Sequence, residues 1–183
     1  ATLLLNDQLD EASRLLLERM QRAMDLLKEK REVESTTDTV RLASHDLAAS
    51  LSAYVSNLTS YEFRLAYAGP EIGVLARYDD LLLDLVLAAL LDNARRYVLP
   101  DTAIELRLTL HDRQEVTFEV FNQGPPVADP EKIFQFGETS HDTASNLGVG
   151  LYAARQYVTS FGGYIRAENR PNGFAIVVNL VPG

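Results

Sequence analysis

A segment from about residue 79 to residue 98 would form a helix that is apolar on nearly every side, and it constrains the fold more than any other region of the chain. Such a helix must be buried, so we expect it to pack against a sheet. Near its end it carries the amide Asn93, followed by Arg96 and Tyr97. A single Asn at the edge of a helix is more often solvated or capping than a metal ligand. Asn93 therefore needs support from other segments before it is assigned to Mg²⁺.

Residues 146–151 supply some of that support, because Gly148 and Gly150 mark the start of another helix. Glycine lets backbone amides approach a ligand closely, and the N-terminus of a helix favours phosphate. A lone Gly-x-Gly pair is weak evidence for such a site. In combination with Asn93, it predicts a site that holds magnesium and phosphate.

A third segment, residues 122–127, lies between these two. Asn122 comes directly after an alternating strand, and Gly124 leaves space for a flat ligand. Taken alone, the segment is also compatible with a simple loop. With the two other segments it favours a nucleotide-binding domain.

The remaining patterns predict the order helix, strand, helix, two strands, helix, two strands, loop, helix and two strands. This order suits an α/β (α+β) two-layer sandwich, with helices on one face of a mixed sheet and one long helix in front. We expect the long amphipathic helix at residues 6–31. It belongs to an N-terminal segment of residues 1–34, and the main domain should follow at residues 35–183. The expected strands include 39–42, a hairpin over 62–76, the pair 103–110 and 115–121, and a last hairpin about Pro171, Asn172 and Gly173.

Composition excludes several functions. The net charge of −9 argues against a sequence-independent grip on nucleic acid, which needs surplus Lys and Arg. The absence of cysteine excludes disulfides and thiolate metal sites. Because we find neither a bilayer-spanning apolar run nor an export signal, we expect a cytoplasmic chain without membrane contact of its own. The start at Ala1 is also compatible with the cytoplasmic portion of an inner-membrane receptor.

Four separated blocks resemble the catalytic, ATP-binding domain of sensor histidine kinases. That domain has the Bergerat fold, which some topoisomerases, chaperones and mismatch-repair ATPases share. The blocks are similar to the N, G1, F and G2 boxes and lie at residues 90–97, 122–127, 133–136 and 146–151. The resemblance extends from about Thr37 to the C-terminus.

The resemblance implies a role for each matching residue. Asn93 would bind Mg²⁺, Arg96 would lie near the phosphates, and Tyr97 would pack on the adenine. Asn122 stands where the family usually has an Asp that accepts a hydrogen bond from the adenine amino group, and an Asn oxygen can accept one too. Residues 136–146 would be a lid over the nucleotide. The implied ATP-binding set is completed by Gly124, Gly148, Val149, Gly150 and Leu151.

Three departures keep a different function open. Ala89 replaces a polar residue of the N box, Pro126 a glycine of G1, and Asn146 a glycine of G2. These changes favour the alternative of a degenerate, kinase-like adaptor that no longer binds ATP and acts in phosphotransfer or docking. The retained Asn93, Tyr97, Gly148 and Gly150 oppose it, so the kinase remains the leading hypothesis. An anti-sigma serine kinase of the same fold is a third hypothesis, which the long N-terminal helix disfavours.

His45 lies in a Ser-His-Asp-Leu sequence that resembles a phosphoacceptor motif. The stretch from His45 to Asn93 is too short for the acceptor hairpin and the first half of an ATP domain, so we expect His45 at a helix start instead. The helix at 6–31 then resembles the second helix of a dimerisation hairpin. The resemblance implies a histidine kinase fragment without a catalytic residue of its own, with ATP and Mg²⁺ as cofactors. Its implied partners are an acceptor-histidine helix (missing here or supplied in trans), a response regulator and a second copy of the full-length protein.

Overall fold

A computed structural model describes residues 42–58, 64–111, 115–136 and 149–183, all within the unit Leu42–Gly183. The predicted helix at 6–31, the proposed boundary at residue 34, Asn146, Gly148 and nearly all of the predicted lid lie outside these residues. The helices are α1 (Leu47–Leu58), α2 (Asp80–Tyr97) and α3 (Gly150–Ser160), with a 3-10 turn at Lys132–Phe134. The strands are β1 (Ala43–Asp46), β2 (Leu65–Ala68), β3 (Leu75–Tyr78), β4 (Ile104–His111), β5 (Glu115–Gln123), β6 (Tyr164–Arg170) and β7 (Gly173–Leu180).

Five strands form one mixed sheet in the order β2-β4-β5-β7-β6. β2 runs parallel to β4, and the other neighbours are antiparallel. Apolar residues lie side by side across this sheet and are buried beneath the helices, as shown by the row Leu108, Phe118, Val178 and Ile165. The predicted two-layer architecture is therefore confirmed for the described residues.

The opposite face of the sheet carries charged side chains instead. Glu119 of β5 lies 3.1 Å from both Arg107 of β4 and Arg170 of β6. Further pairs extend this contact into an outer-face ion-pair network of Glu105, Arg107, Glu119, Arg166, Glu168 and Arg170. Alternation of apolar and charged residues thus assigns one face of the sheet to the core and the other to solvent.

The hairpin predicted over residues 62–76 is wrong. β2 pairs with β4 in the large sheet, whereas β3 pairs with β1 in a separate two-stranded sheet. Gly69 and Pro70 do turn the chain, but the two strands that they separate find partners distant in sequence.

β1 also differs from its prediction, because it spans Ala43–Asp46 rather than residues 39–42. His45 therefore lies in a strand opposite Ala76 and not at a helix start. Its Nδ1 is 3.3 Å from the Asp80 carboxylate, and its ring lies 5.0 Å from that of Tyr78.

Asp46 joins three elements at the end of β1. Its carboxylate accepts hydrogen bonds from the amides of Gly73 at 2.7 Å, Val74 at 3.3 Å and Ala49 at 3.2 Å. The bond from the Ala49 amide caps the N-terminus of α1. These donors, led by the Gly73 amide, hold the pKa of the Asp46 carboxyl below its usual value.

No helix in the described ranges is long and apolar enough to cross a membrane.

Candidate nucleotide-binding site

α2 is built as the sequence predicts, with one polar edge on a largely buried helix. Asp79 caps its N-terminus by accepting a hydrogen bond from the Leu82 amide at 3.1 Å. Eight apolar residues of α2 are buried, and Asn93 lies half-buried at the edge of that surface. Within the described ranges, no hydrogen bond engages the Asn93 amide, which leaves its oxygen available to a cation.

Arg96 is held close to its own helix. Its guanidinium pairs with the Asp92 carboxylate at 2.5 Å, one turn earlier on α2. About a third of the Arg96 side chain is exposed. The ion pair directs the Arg96 side chain back along α2 toward Asp92.

Gly124 lies directly against the C-terminal end of α2. A Cβ atom at this position would be 2.5 Å from the carbonyl oxygen of Tyr97 and 3.0 Å from the Asn122 side-chain nitrogen. Real Cβ atoms do not approach a carbonyl oxygen so closely, so only glycine fits here. The end of β5 and the end of α2 are thereby brought together.

The Gln123 carbonyl oxygen organises this junction. It accepts a hydrogen bond from the Leu99 amide at 2.9 Å, which ties β5 to the residues that follow α2. It also accepts the Asn122 Nδ2–H at 3.3 Å. Asn122 is 2% exposed. Its side-chain amide carries an oxygen acceptor, which is the chemistry that an amino group of a base requires.

The N-terminus of α3 faces α2 near Asn93. A Cβ atom on Gly150 would lie 3.7 Å from the Cβ of Ala89, one turn before Asn93. Val149 is the N-cap residue and provides no side-chain hydrogen bond to the first turn. Because the first amides of a helix have no partner inside it, those of α3 are suited to bind an anion. The sequence indicates that Ala89 replaces a polar residue of the N box. In the structure, its small side chain lies where the start of α3 approaches α2.

The structure places the eight predicted residues that it describes on α2, at the end of β5 and at the start of α3. Asn93, Arg96, Tyr97, Asn122 and Gly124 surround the junction of α2 with β5, and Val149, Gly150 and Leu151 begin the helix that faces Ala89. Below, the nucleotide-binding region means these eight residues. Their roles in binding stay predictions, and Gly148 lies outside the described residues.

Sequence reasoning missed the residues that hold this region in place. Arg155 on α3 contacts Glu131 and Phe134, and Asn169 on β6 binds the backbone of Val127. Neither belongs to a glycine-marked block. The only sequence signal for Arg155 is its position on α3 shortly after Gly150.

Comparison with known proteins decides the family. The model of the histidine kinase-, DNA gyrase B-, and HSP90-like ATPase family matches residues 78–182, which is more than half of the chain. The chain belongs to this family. The match begins at the end of β3 and includes α2, β5, the start of α3 and the last hairpin.

Curated relatives of this ATPase domain are sensor kinases. Sensor protein KdpD of Mycobacterium tuberculosis is 35% identical over 110 residues, covering 57% of this chain and 13% of that protein. Signal transduction histidine-protein kinase AfsQ2 of Streptomyces coelicolor is 27% identical over 183 residues, covering 94% of this chain and 33% of that protein. The chain thus spans about a third or less of the length of these relatives.

Solved structures show the same fold. The catalytic domain of histidine kinase ThkA has a TM-score of 0.66 at 21% identity and covers 78% of this chain and 96% of its own. Full-length ShkA in complex with AMPPNP has a TM-score of 0.64 at 18% identity and covers 81% of this chain and 33% of its own. The fold predicted from the four sequence blocks is thus confirmed.

The chemistry of these residues fits a nucleotide ligand. The buried residue Asn122 carries an acceptor for a base, and the backbone at Gly124 leaves no room for a side chain. The first amides of α3 have no side-chain cap and can bind phosphate. An ATPase domain implies ATP as that nucleotide. Asn93 is the residue of this set that would hold Mg²⁺.

Proposed function

We propose that the nucleotide-binding region binds MgATP and that the domain donates the terminal phosphate to a histidine on another segment, within a two-component sensor histidine kinase. The observation that carries this proposal is the approach of Gly124 to Tyr97 and of Gly150 to Ala89. These approaches place the end of β5 and the start of α3 on the same helix, near Asn93.

Each residue then has a separate task. The Asn122 oxygen accepts from the adenine amino group, and the first amides of α3 bind phosphate oxygens. Asn93 would hold Mg²⁺, which neutralises phosphate charge when bound. Arg96, kept on α2 by Asp92, supplies positive charge near the phosphates. Phosphoryl transfer needs mainly positioning and charge stabilisation, so the absence of a catalytic acid or base from this set is compatible with the reaction.

The partners proposed are those of the sensor kinases to which the chain is similar. An acceptor-histidine helix would be supplied in trans or by a longer protein, a response regulator would take the phosphate, and the complete kinase would be a dimer. ShkA, which shares the fold, was solved with AMPPNP, and this supports an adenine nucleotide as ligand. Because the reaction consumes ATP, we expect it to occur in the cytoplasm.

Calorimetric titration of the 183-residue chain with ATP and Mg²⁺ tests the proposal. We expect binding in the micromolar range that Asn93→Ala abolishes, because this substitution removes the ligand for the metal. Asn57→Ala is the matched control, since Asn57 is exposed on α1 and outside the nucleotide-binding region. If the unmodified chain does not bind even millimolar ATP, the kinase proposal fails and the adaptor becomes the better hypothesis.

Transfer itself requires a second measurement. The chain, labelled ATP and a separate acceptor helix from a sensor kinase are combined, and acid-labile phosphate on that helix is followed. We expect phosphate on the acceptor only when both ATP and Mg²⁺ are present. Binding of ATP without any transfer to a range of acceptor helices would contradict the kinase reaction while leaving the binding site intact.

A further inference from the structure

Among the residues that the structure describes, Arg155 of α3 makes three contacts outside its own helix. Its Nη2 lies 2.6 Å from the Glu131 carboxylate and 3.5 Å from the carbonyl oxygen of Ile165 on β6. Its guanidinium carbon lies 4.5 Å from the centre of the Phe134 ring. Phe134 is 2% exposed, so the charged group covers a ring that belongs to the core. One side chain therefore joins α3, β6 and the segment that contains the 3-10 turn.

That segment starts at Asn122 and Gly124, which form the base end of the nucleotide-binding region. From Gly124 the chain passes Val127, where Asn169 of β6 binds the backbone twice at 2.8 Å, once to the Val127 amide and once to its carbonyl. It then reaches Glu131 and Phe134, which Arg155 contacts. The segment after β5 is thus attached first to β6 and then to α3.

α3 also forms the phosphate end of the nucleotide-binding region, at Val149, Gly150 and Leu151. α3 begins at Gly150, five residues before Arg155 and beside Ala89 of α2. Since an α-helix is stiff over such a short length, a change in its packing at Arg155 is transmitted to its first amides. Arg155 therefore stands between the loop that leaves the base end and the helix that forms the phosphate end.

We propose that Arg155 is a positioning residue that fixes the base end and the phosphate end of the nucleotide-binding region relative to each other. This inference rests on the proposed function. Arg155 does not contact the nucleotide in this assignment. It keeps the segment after β5 and the start of α3 at the spacing that a complete ATP molecule requires.

A purely structural role makes a different prediction. An exposed ion pair contributes little to stability, and its loss would lower the melting temperature slightly without altering ligand preference. A positioning role instead affects ligands that span both ends. Adenosine occupies only the base end, whereas ATP occupies both, so the ratio of their dissociation constants measures the coupling.

The experiment compares Arg155→Met with Arg166→Met in the full chain. Arg166 is a matched control because it also pairs with a carboxylate, Glu168 at 2.6 Å, and lies over an aromatic ring, Tyr164 at 5.8 Å, on β6. ATP with Mg²⁺ and adenosine are titrated against each protein below its melting transition. For Arg155→Met we expect MgATP binding to weaken about fivefold while adenosine binding changes less than about twofold. For Arg166→Met we expect both constants to stay within about twofold.

Three further variants extend the test, and the first two keep it decisive if Arg155→Met is poorly folded. Glu131→Gln removes the partner carboxylate at an exposed position and should weaken ATP binding in the same direction by a smaller factor. Arg155→Lys should restore most of the affinity, because an ammonium can pair with Glu131 and lie over Phe134, although it lacks the planar stacking of Arg. The double variant Arg155→Met, Glu131→Gln should bind no more weakly than Arg155→Met alone.

Several results would overturn the inference. They are an unchanged ratio of adenosine to ATP affinity in Arg155→Met, an equal change in Arg166→Met, or fully additive effects of Arg155→Met and Glu131→Gln. Failure of the unmodified chain to bind ATP is a separate observation, which refutes the proposed function and this inference with it.

Discussion

The Cβ position of Gly124 lies 2.5 Å from the carbonyl oxygen of Tyr97, so the turn after β5 touches the last turn of α2 without an intervening side chain. This contact is independent of any ligand. It means that the two segments expected to hold a base are locked together by backbone packing. Substitutions around this contact give the most direct tests of the site.

Gly124→Ala should be strongly unfavourable, because its methyl group must displace the Tyr97 carbonyl or the Asn122 amide. We expect a loss of about 1–3 kcal/mol in the free energy of unfolding, together with weaker ATP binding. Gly150→Ala is the control, since a Cβ there meets Ala89 at an ordinary contact distance of 3.7 Å. Chemical denaturation of both variants checks the prediction, and equal stabilities would contradict it.

Asn122→Asp should lower the stability of the fold and increase the affinity for ATP. The carboxylate cannot donate to the Gln123 carbonyl as the amide does, and a buried charge near a carbonyl oxygen is unfavourable. We therefore expect the nucleotide-free variant to be about 1–2 kcal/mol less stable at pH 7. ATP binding should become tighter, because both carboxylate oxygens accept from an amino group.

The stability of Asn122→Asp should depend on pH. Burial raises the pKa of the introduced carboxyl above its unfolded value, so the loss of stability is present at neutral pH and is relieved as the pH falls and the group becomes neutral. Thermal melts at pH 7 and pH 5 should show a smaller difference from the unmodified chain at pH 5. A larger difference at pH 5 would mean that the charge is not buried.

Asp46 should make the fold sensitive to acid. Hydrogen bonds led by the Gly73 amide lower the pKa of this carboxyl in the folded state. Its contribution is therefore fully present above the unfolded pKa of about 3.9 and is lost as the pH falls through the folded pKa. Asp46→Asn should reduce stability at neutral pH and flatten the loss of stability below about pH 4. Asp129→Asn, at an exposed loop carboxylate, should follow the unmodified chain through the same titration.

Glu119 should stabilise the outer face of the sheet in a salt-dependent way. It lies 3.1 Å from Arg107 and from Arg170, but both arginine side chains are 41% exposed. We expect Glu119→Gln to cost only about 0.5–1 kcal/mol at low ionic strength. The difference should shrink in high salt, because solvent-exposed charges are screened. A salt-independent effect in urea denaturation would point to packing rather than charge.

Local patterns predicted the elements whose partners follow directly in sequence. The leucines of α2, the alternation in β4 and β5, and the turn at Pro171, Asn172 and Gly173 all gave elements at the expected places. α2 was expected to begin at about residue 79, and Asp79 is its N-cap. Such signals are strong because hydrophobic spacing and capping act within a few residues.

Pairing between distant strands could not be predicted in the same way. Phe63, Leu65 and Tyr67 recur at every second position, but such a pattern does not identify the neighbouring strand. β2 joined β4 instead of β3, and the His45 segment became β1 instead of a helix start. The candidate site shows the same division. Its glycines and amides could be identified from motifs, whereas Arg155 and the Gln123 carbonyl act through contacts that only the folded chain creates.

The size of the side chain at position 89 affects the spacing between α2 and the start of α3. Because the methyl group of Ala89 separates α2 from the beginning of α3, the size of this one side chain sets how far apart the two helices can be at that point. Replacement by valine and then leucine would widen the gap in steps while leaving every residue assigned to the nucleotide unchanged. Affinity for nucleotides could thus be adjusted from a position outside the eight residues of the nucleotide-binding region.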